Sequence, residues 1–447
     1  MSFMKTVCHK QLYFKSLLSK DIVADFDGGN ITSDGGSLLL RELDQRYAVT
    51  QRIADCLHDP RDPERITHEL ISIVRQRVMS IALGYEDAND ASKLRHDPAI
   101  MMAAEKLPEC QEGLASQPTL SRFENEPSAK QLHELSQSLF GLYLTTHPRQ
   151  RSVIVLDIDS TDDPTHGRQQ LSLFHGFYDQ HMYHPLLVFD GISGFPLAAV
   201  LRPGNAHAAH RAPALLKRLI KRLKKAYPGT PILLRADAGF AVPAIYKLCE
   251  QEGVLYTIGL ITNDRLRSKS AALLAKAQQQ FHLSGEKQRL FTSFAHRAGS
   301  WHRYRRVIAK VECMVQGDNQ RFVVTNIAAD PQILYDTIYV QRGEAENRIK
   351  ELKLYLKADR LSCHRFAANQ FRLLLHTYAY CLMWLLRQHL QGTELATASF
   401  ETLRLKLLKI GARVKQSCRR VCVYFASSYP YKELFETLRY RIIQAPG

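Results

Sequence analysis

Residues 152–159, SVIVLDID, form an apolar, β-branched run of the kind that makes a central strand, and the run ends on two acids. Alternate side chains of an extended strand share a face, so Val153, Val155, Asp157 and Asp159 point the same way. Carboxylates at the end of a buried strand cost free energy unless protons or a cation neutralise them. A hard divalent metal with oxygen ligands is the usual solution. The runs 184–190 and 196–202, joined by Gly191-Ile192-Ser193-Gly194, read as a hairpin, which gives three antiparallel strands. A helix over 208–226, a strand over 231–236, a helix from Pro243 and a strand over 254–260 follow. That order predicts the α/β class with a mixed five-stranded sheet. Asp237 ends the fourth strand, where it caps a turn or joins the first strand's acids. The 208–226 helix carries Arg211, Lys217, Arg218, Lys221, Arg222, Lys224 and Lys225, either a solvated face or a surface for backbone phosphates.

After a long interruption comes YVQRGEAENRIKELK (339–353). At about 100° per residue, Arg342, Glu346 and Lys353 lie near −60°, −20° and −40° relative to Tyr339. Lys350, Lys357 and Arg360 lie near +20°, 0° and −60°, whereas Glu344 and Glu351 point roughly 120° or more away from Glu346. One carboxylate therefore lies in a stripe of cations, either a solvated helix face or the charged edge of a groove. Ala345, Ile349, Leu352 and Leu356 form the adjacent apolar strip that docks on a core.

A chain of 447 residues, 45% hydrophobic, is too long for one ordinary domain, and two to four modules are expected. The net charge of +16 is spread along the chain and points to a polyanionic partner, with nucleic acid the leading candidate. Nine cysteines without a CxxC pair fit reduced thiols in a cytoplasmic protein. The first twenty residues lack the apolar core of a signal peptide, and the most apolar stretch, 373–386, is too short to span a bilayer, so no membrane is expected. Residues 1–150 read as a helical module. Within it, Ser116-Gln117-Pro118-Thr119-Leu120-Ser121-Arg122 is either an ordinary helix start or a short reading helix that displays Arg122.

Tyr339, Arg342, Glu346 and Lys353 match the signature Y-x2-R-x3-E-x6-K. With Asp159-Ser160-Thr161, Asp237 and FDGGNITSDGGSLLLREL near the start, the chain resembles the DDE transposases of bacterial insertion sequences, in the group called transposase DDE domain group 1. The resemblance covers nearly the whole chain. It implies a ribonuclease-H-like catalytic core, with Asp159, Asp237 and Glu346 as a catalytic and metal-binding triad for two Mg²⁺ ions, Mn²⁺ substituting. It implies Tyr339, Arg342 and Lys353, with Lys350 and Lys357 in the same stripe, as contacts to the phosphates of transposon ends. Double-stranded DNA is the implied partner, including the inverted repeats and the target, with a homodimer in the DNA complex and a cytoplasmic, nucleoid-associated location. The first acid is Asp157 or Asp159, and the small hydroxyl residues after Asp159 favour the latter.

The resemblance sets the boundaries 1–150 (DNA-binding region), 151–260 (first part of the core), 261–335 (β-rich insertion), 336–386 (last part of the core) and 387–447 (basic C-terminal region). In the insertion, 301–311 and 320–327 read as strands. Trp301 there is either part of a small β-core or a stacking surface for an unpaired base. The last region holds 11 Lys and Arg against 4 Glu, begins with a basic helix at LRLKLLKIGARVK, and either tracks DNA or pairs protomers. Two other readings compete. Asp157-Ile158-Asp159-Ser160-Thr161 also fits the DxDxT nucleophile of haloacid-dehalogenase-type phosphatases, and a non-catalytic DNA-binding protein would explain the charge.

Overall fold

The computed structural model describes residues 11–444. Cys8 and the first half of the segment read for a leader lie outside the described residues. The centre is one eight-stranded mixed sheet built from β1 (Ile154–Ser160), β2 (Leu186–Asp190), β3 (Pro196–Val200), β4 (Ile232–Ala236), β5 (Leu255–Leu260), β6 (Gln288–His296), β7 (Arg305–Met314) and β8 (Gly317–Thr325). Their spatial order is β6-β7-β8-β5-β4-β1-β2-β3. β1, β4 and β5 are parallel, and β2 runs antiparallel to β1. The five expected strands stand side by side in the order 3-2-1-4-5. The sheet is nevertheless wider than the sequence suggests, because β8 pairs antiparallel with β5 and carries β7 and β6 beyond it. Left alone, β5 would expose a row of unpaired backbone groups. The insertion satisfies them, and it opens with a 21-residue helix (Asp264–Ser284) where only strands were expected.

Helix α1 (Leu70–Leu83), helix α2 (Ala129–Thr146) and helix α3 (Phe366–Gln388) pack together, and α3 also lies against β3. In α3 the residues from Phe371 through Leu386 are all buried, which explains its apolar run. No helix among the described residues is long and apolar enough to cross a membrane. A single core runs from Leu39 to Ile442, so the helices of residues 37–146 share their interior with the sheet. They are preceded by an exposed hairpin of Leu12–Leu17 and Lys20–Ala24.

An early and a late segment of the described chain meet. Ile31–Thr32 pairs with Ala412–Gln416, which pairs with Val421–Phe425. The basic segment expected as one helix is helical only to Leu408 and then becomes a strand, in which Ala412 and Val414 are buried and Arg413 and Lys415 exposed. That alternation is a period of two, which no helix accommodates. Beside it, Gly36 N–H donates to the Leu408 carbonyl over 3.1 Å, and a Cβ at Gly36 would fall 1.9 Å from the Leu407 oxygen. Asp34, fully buried, takes Lys409 at 2.6 Å.

Several imidazoles are packed as neutral rings. His147 lies stacked 5.3 Å from Trp384 and shares a 2.9 Å hydrogen bond with Ser193, and burial pushes it down to about 4. His184 shares a 2.7 Å bond with the Ala206 carbonyl, and burial likewise lowers it to about 4. Because both lie below the unfolded value of about 6.5, the stability they contribute is present above that pH and is lost as pH falls towards 4. Imidazole proton shifts followed over pH in the folded protein should place both rings well below the free value; titration of either ring near about 6.5 would show that it is not held neutral.

Candidate active site

Parallel pairing sets the first contact. Ile158 lies opposite Ala236, so the next residues, Asp159 and Asp237, emerge from neighbouring strands on the same edge of the sheet. Such strands are about 4.8 Å apart, which brings the two carboxylates side by side. Asp159 is 8% exposed and its Oδ1 accepts from the Ser160 N–H at 2.8 Å. Burial, followed by the Asp237 carboxylate, pushes its carboxyl up to about 7, with Glu346 adding to the rise and Arg342 opposing it. Asp237 does cap its turn, accepting from the Gly239 N–H at 2.9 Å, and it faces the site as well.

The third acid arrives on a helical segment, 331–355, that is not a uniform α-helix. It winds in wide π turns over Leu334–Tyr339, tightens to a 3₁₀ turn over Val340–Arg342, runs as α over Gly343–Lys350, and widens again over Glu351–Tyr355. π turns of this kind recur at functional sites. Ala345, Ile349, Leu352 and Leu356 are all buried, as their spacing predicts. Arg342 bridges the acids, lying 3.3 Å from Asp159 Oδ2 and 3.0 Å from Glu346 Oε1. The Tyr339 hydroxyl sits against β5, where a Cβ at Gly259 would come within 2.6 Å of it. Only glycine permits that approach, and burial raises the phenol's pKa. Lys353, in the second wide turn, donates to Asp162 Oδ1 at 2.8 Å and to Thr161 Oγ1 at 3.2 Å. Against the cost of burial, this contact holds the Asp162 carboxyl below its usual range.

Asp157 does something else. It is fully buried, held by Arg235 through two bonds of 2.6 and 2.7 Å and by Arg348 at 3.2 Å. Arg235 also reaches the Ile338 carbonyl at 3.2 Å, and Arg348 the Gly191 carbonyl at 3.0 Å. The three members of this clamp stand two residues from Asp159, Asp237 and Glu346 respectively. An Asp157 engaged in this way has no free carboxylate to attack a phosphate ester, which removes the geometric basis of the phosphatase reading.

The remaining residues do not join the cluster. Lys350 is exposed, Lys357 is half-buried, and neither makes an ion pair among the described residues. Arg122 is exposed on the helix Gln117–Asn125. Trp301, considered as a base-stacking surface, is 4% exposed and belongs to the core, with Tyr246 5.3 Å away, His296 5.6 Å away and the Arg305 guanidinium 5.2 Å from its ring. At that exposure the indole offers little surface to a nucleobase. Sequence reasoning missed Arg235, Arg348 and Asp162. A cation inside the apolar run ILLRA was the available signal for Arg235, and the place of Arg348 three residues after Ala345 on the apolar strip was the signal for the other arginine.

Among the described residues, no set of three His, Cys, Asp or Glu side chains stands in metal-ligating geometry, and Arg342 lies between Asp159 and Glu346. The donor set still suits a hard cation: all-oxygen ligands, one of them raised by burial and by its carboxylate neighbours, a cost that a bound cation would offset.

Together the fold and site define a mixed α/β protein with an acidic cluster at the carboxyl edge of its sheet. The chain matches the family described as transposase DDE domain group 1 over residues 14–446, and it belongs to that family. No curated protein matches it. Among solved structures it is similar to a piggyBac transposase, in a cryo-EM synaptic complex with hairpin DNA, at 12% identity over 92% of this chain and 82% of that one, with a TM-score of 0.41.

Proposed function

We propose that this transposase cuts DNA at the inverted ends of its own element and joins the freed 3′-hydroxyl to target DNA, using a ribonuclease-H-like core in which Asp159, Asp237 and Glu346 are the catalytic acids. The observation that carries the reading is the meeting of Asp159 and Asp237 from adjacent parallel strands, with Arg342 tying in Glu346. The strand order 3-2-1-4-5 supports the core assignment. The three acids would hold Mg²⁺, which when bound supplies the Lewis-acid chemistry of in-line displacement at phosphorus. The chain's own groups do the positioning. Arg342 is poised between acids and solvent, so its fork can take a phosphate oxygen pair as a planar bidentate donor. Lys353, anchored at Thr161 and Asp162, marks where the strand's next phosphate would run. Tyr339 presents a hydroxyl next to Asp237. Both chemical steps are attacks at phosphorus, so one site can serve water first and a 3′-hydroxyl afterwards. Two protomers, each holding one end, would complete the assembly.

The test is Mg²⁺-dependent nicking of a duplex that carries the end sequence flanking the reading frame. A phosphatase would hydrolyse small phosphate esters, and a plain binder would do neither. Arg342→Ala and Lys353→Ala are expected to lower the nicking rate about 10²-fold or more at saturating DNA, because they act on the reacting strand's geometry. Normal rates for both variants would reduce the stripe to a solvated face.

A further inference from the structure

From Gly191 to Ala236 the chain contains no Asp or Glu and nine Lys and Arg. Seven of those nine lie on, or at the start of, the helix Ala212–Ala226. Its inner face is Ala212, Leu216, Leu219, Ile220 and Leu223, all buried. At about 100° per residue, Lys225, Lys221 and Lys217 fall near −20°, −60° and −100° relative to Arg218, opposite that apolar face. All four are exposed, as is Arg211. The other two cations are engaged. Arg222 donates to the Gln137 carbonyl at 3.2 Å and covers the Phe140 ring on α2, and Lys224 takes Glu252 at 3.1 Å. The remaining five make no ion pair among the described residues.

The row starts beside the acids. The segment before the helix, 207–210, lies against the Asp237 turn, where a Cβ at Gly239 would fall 2.8 Å from that of Ala208. Arg202, fully buried, holds this segment by donating to the His207, Ala208 and His210 carbonyls at 3.2, 2.6 and 3.0 Å. Arg211 follows at φ 63°, a left-handed conformation that a non-glycine residue keeps only where its surroundings hold it. The helix then leads into the first residue of β4, whose last residue precedes Asp237, so it runs from the acid edge of the sheet towards the opposite one, over about 22 Å.

A solvated helix face ordinarily mixes both signs of charge. Here Lys217, Lys221 and Lys225 repeat at four-residue steps, where like charges repel, and no acid in the helix or its flanks offsets them. The apolar face is already in the core, so none is left to insert into a lipid surface. A second copy of this chain carries the same excess of positive charge, +16. We propose that Arg211, Lys217, Arg218, Lys221 and Lys225 form a track for the backbone phosphates of duplex DNA as it leaves the acids. The inference rests on the DNA-cleaving function proposed above. The length of the track corresponds to about six base pairs at ~3.4 Å each, and contacts to phosphates read no sequence.

The experiment measures binding of the full-length protein to two duplexes in EDTA, so that binding is read apart from cleavage. One duplex stops at the terminus of the element and the other continues into neighbouring DNA. The slope of log affinity against log salt is taken for each, and ethylation interference maps the phosphates that matter. A variant with Lys217→Gln, Arg218→Gln, Lys221→Gln and Lys225→Gln should bind with a slope shallower by about 3–4, near 0.9 per phosphate contact. It should also lose interference at a continuous run of phosphates. Loss with both duplexes places the track on the element's end, and loss with the longer duplex alone places it on the flank. The pair Lys221→Gln and Lys225→Gln should give about half the change in slope, so the outcome stands even if circular dichroism finds the larger variant misfolded. An interference pattern unchanged in the folded variants, whatever the slope, overturns the track while leaving the DNA reading intact. Failure of the wild type to bind either duplex overturns the DNA reading and the track together.

Discussion

Asp159→Asn is expected to lower strand cleavage by on the order of 10³–10⁵-fold, the scale on which groups acting directly on a transferring phosphoryl centre contribute. Asp237→Asn and Glu346→Gln should fall as far, while affinity for the end duplex stays measurable, because phosphate contacts elsewhere supply most of it. Asp159 makes a second outcome separable from the first. Its carboxyl is pushed from 3.8 up to about 7, so the folded state prefers it protonated. The stability it contributes is complete below the unfolded value and is lost as pH rises through the folded one. Replacing it with a neutral amide removes that loss, so Asp159→Asn should melt at or above the wild-type temperature at pH 8 in EDTA, although it is inactive. A dead variant that also melted well below wild type would assign the effect to folding.

The second large effect is expected at the clamp beneath the acids. Asp157→Ala leaves Arg235 and Arg348 buried without their carboxylate, and breaking such a network typically costs about 3–5 kcal/mol. Denaturant unfolding should show that loss directly. A triple variant, Asp157→Leu with Arg235→Met and Arg348→Met, removes all three charges together, and apolar replacement of a whole ionic network is often neutral for stability. The triple variant should therefore recover most of the lost stability while cleavage stays low, because the buried charged tie that sets the 331–355 helix against β1 and β4 is gone. Recovery of cleavage along with stability would show that the clamp acts only on the fold.

Much of this arrangement is legible in the sequence because it rests on short periods. The two-residue alternation of β1 puts Asp157 and Asp159 on one face, and the strand order brings Asp237 beside Asp159. The 3.6-residue repeat puts Ala345, Ile349, Leu352 and Leu356 inward, as found. Lys353 lies in the wide turn over Glu351–Tyr355, and its ammonium reaches Asp162, a partner that the helical repeat alone does not reveal. Alternation alone also leaves Asp157 and Asp159 equivalent, and only the arginines contributed by β4 and the helix separate them. Trp301 sits among cations in the sequence, but one of them, Arg305, is buried against its ring while the indole itself is in the core, so local composition misleads about exposure. Pairing of β8 with β5 and of Ile31–Thr32 with Ala412–Gln416 is a long-range choice that no local pattern encodes.

The meeting of the early and late segments bears on what happens to damaged copies of the gene. Lys409 neutralises buried Asp34 across a separation of 375 residues, and the Gly36 turn closes on Leu408. A reading frame interrupted before residue 408 leaves an unpaired charge and open backbone groups near the start of the chain, next to a core that Phe400, Leu403 and Leu407 would have completed. Ribosomes translating such a frame would release a product without a stable interior. Decayed copies would then yield substrates for proteolysis and no truncated competitors for the intact protein's proposed DNA sites.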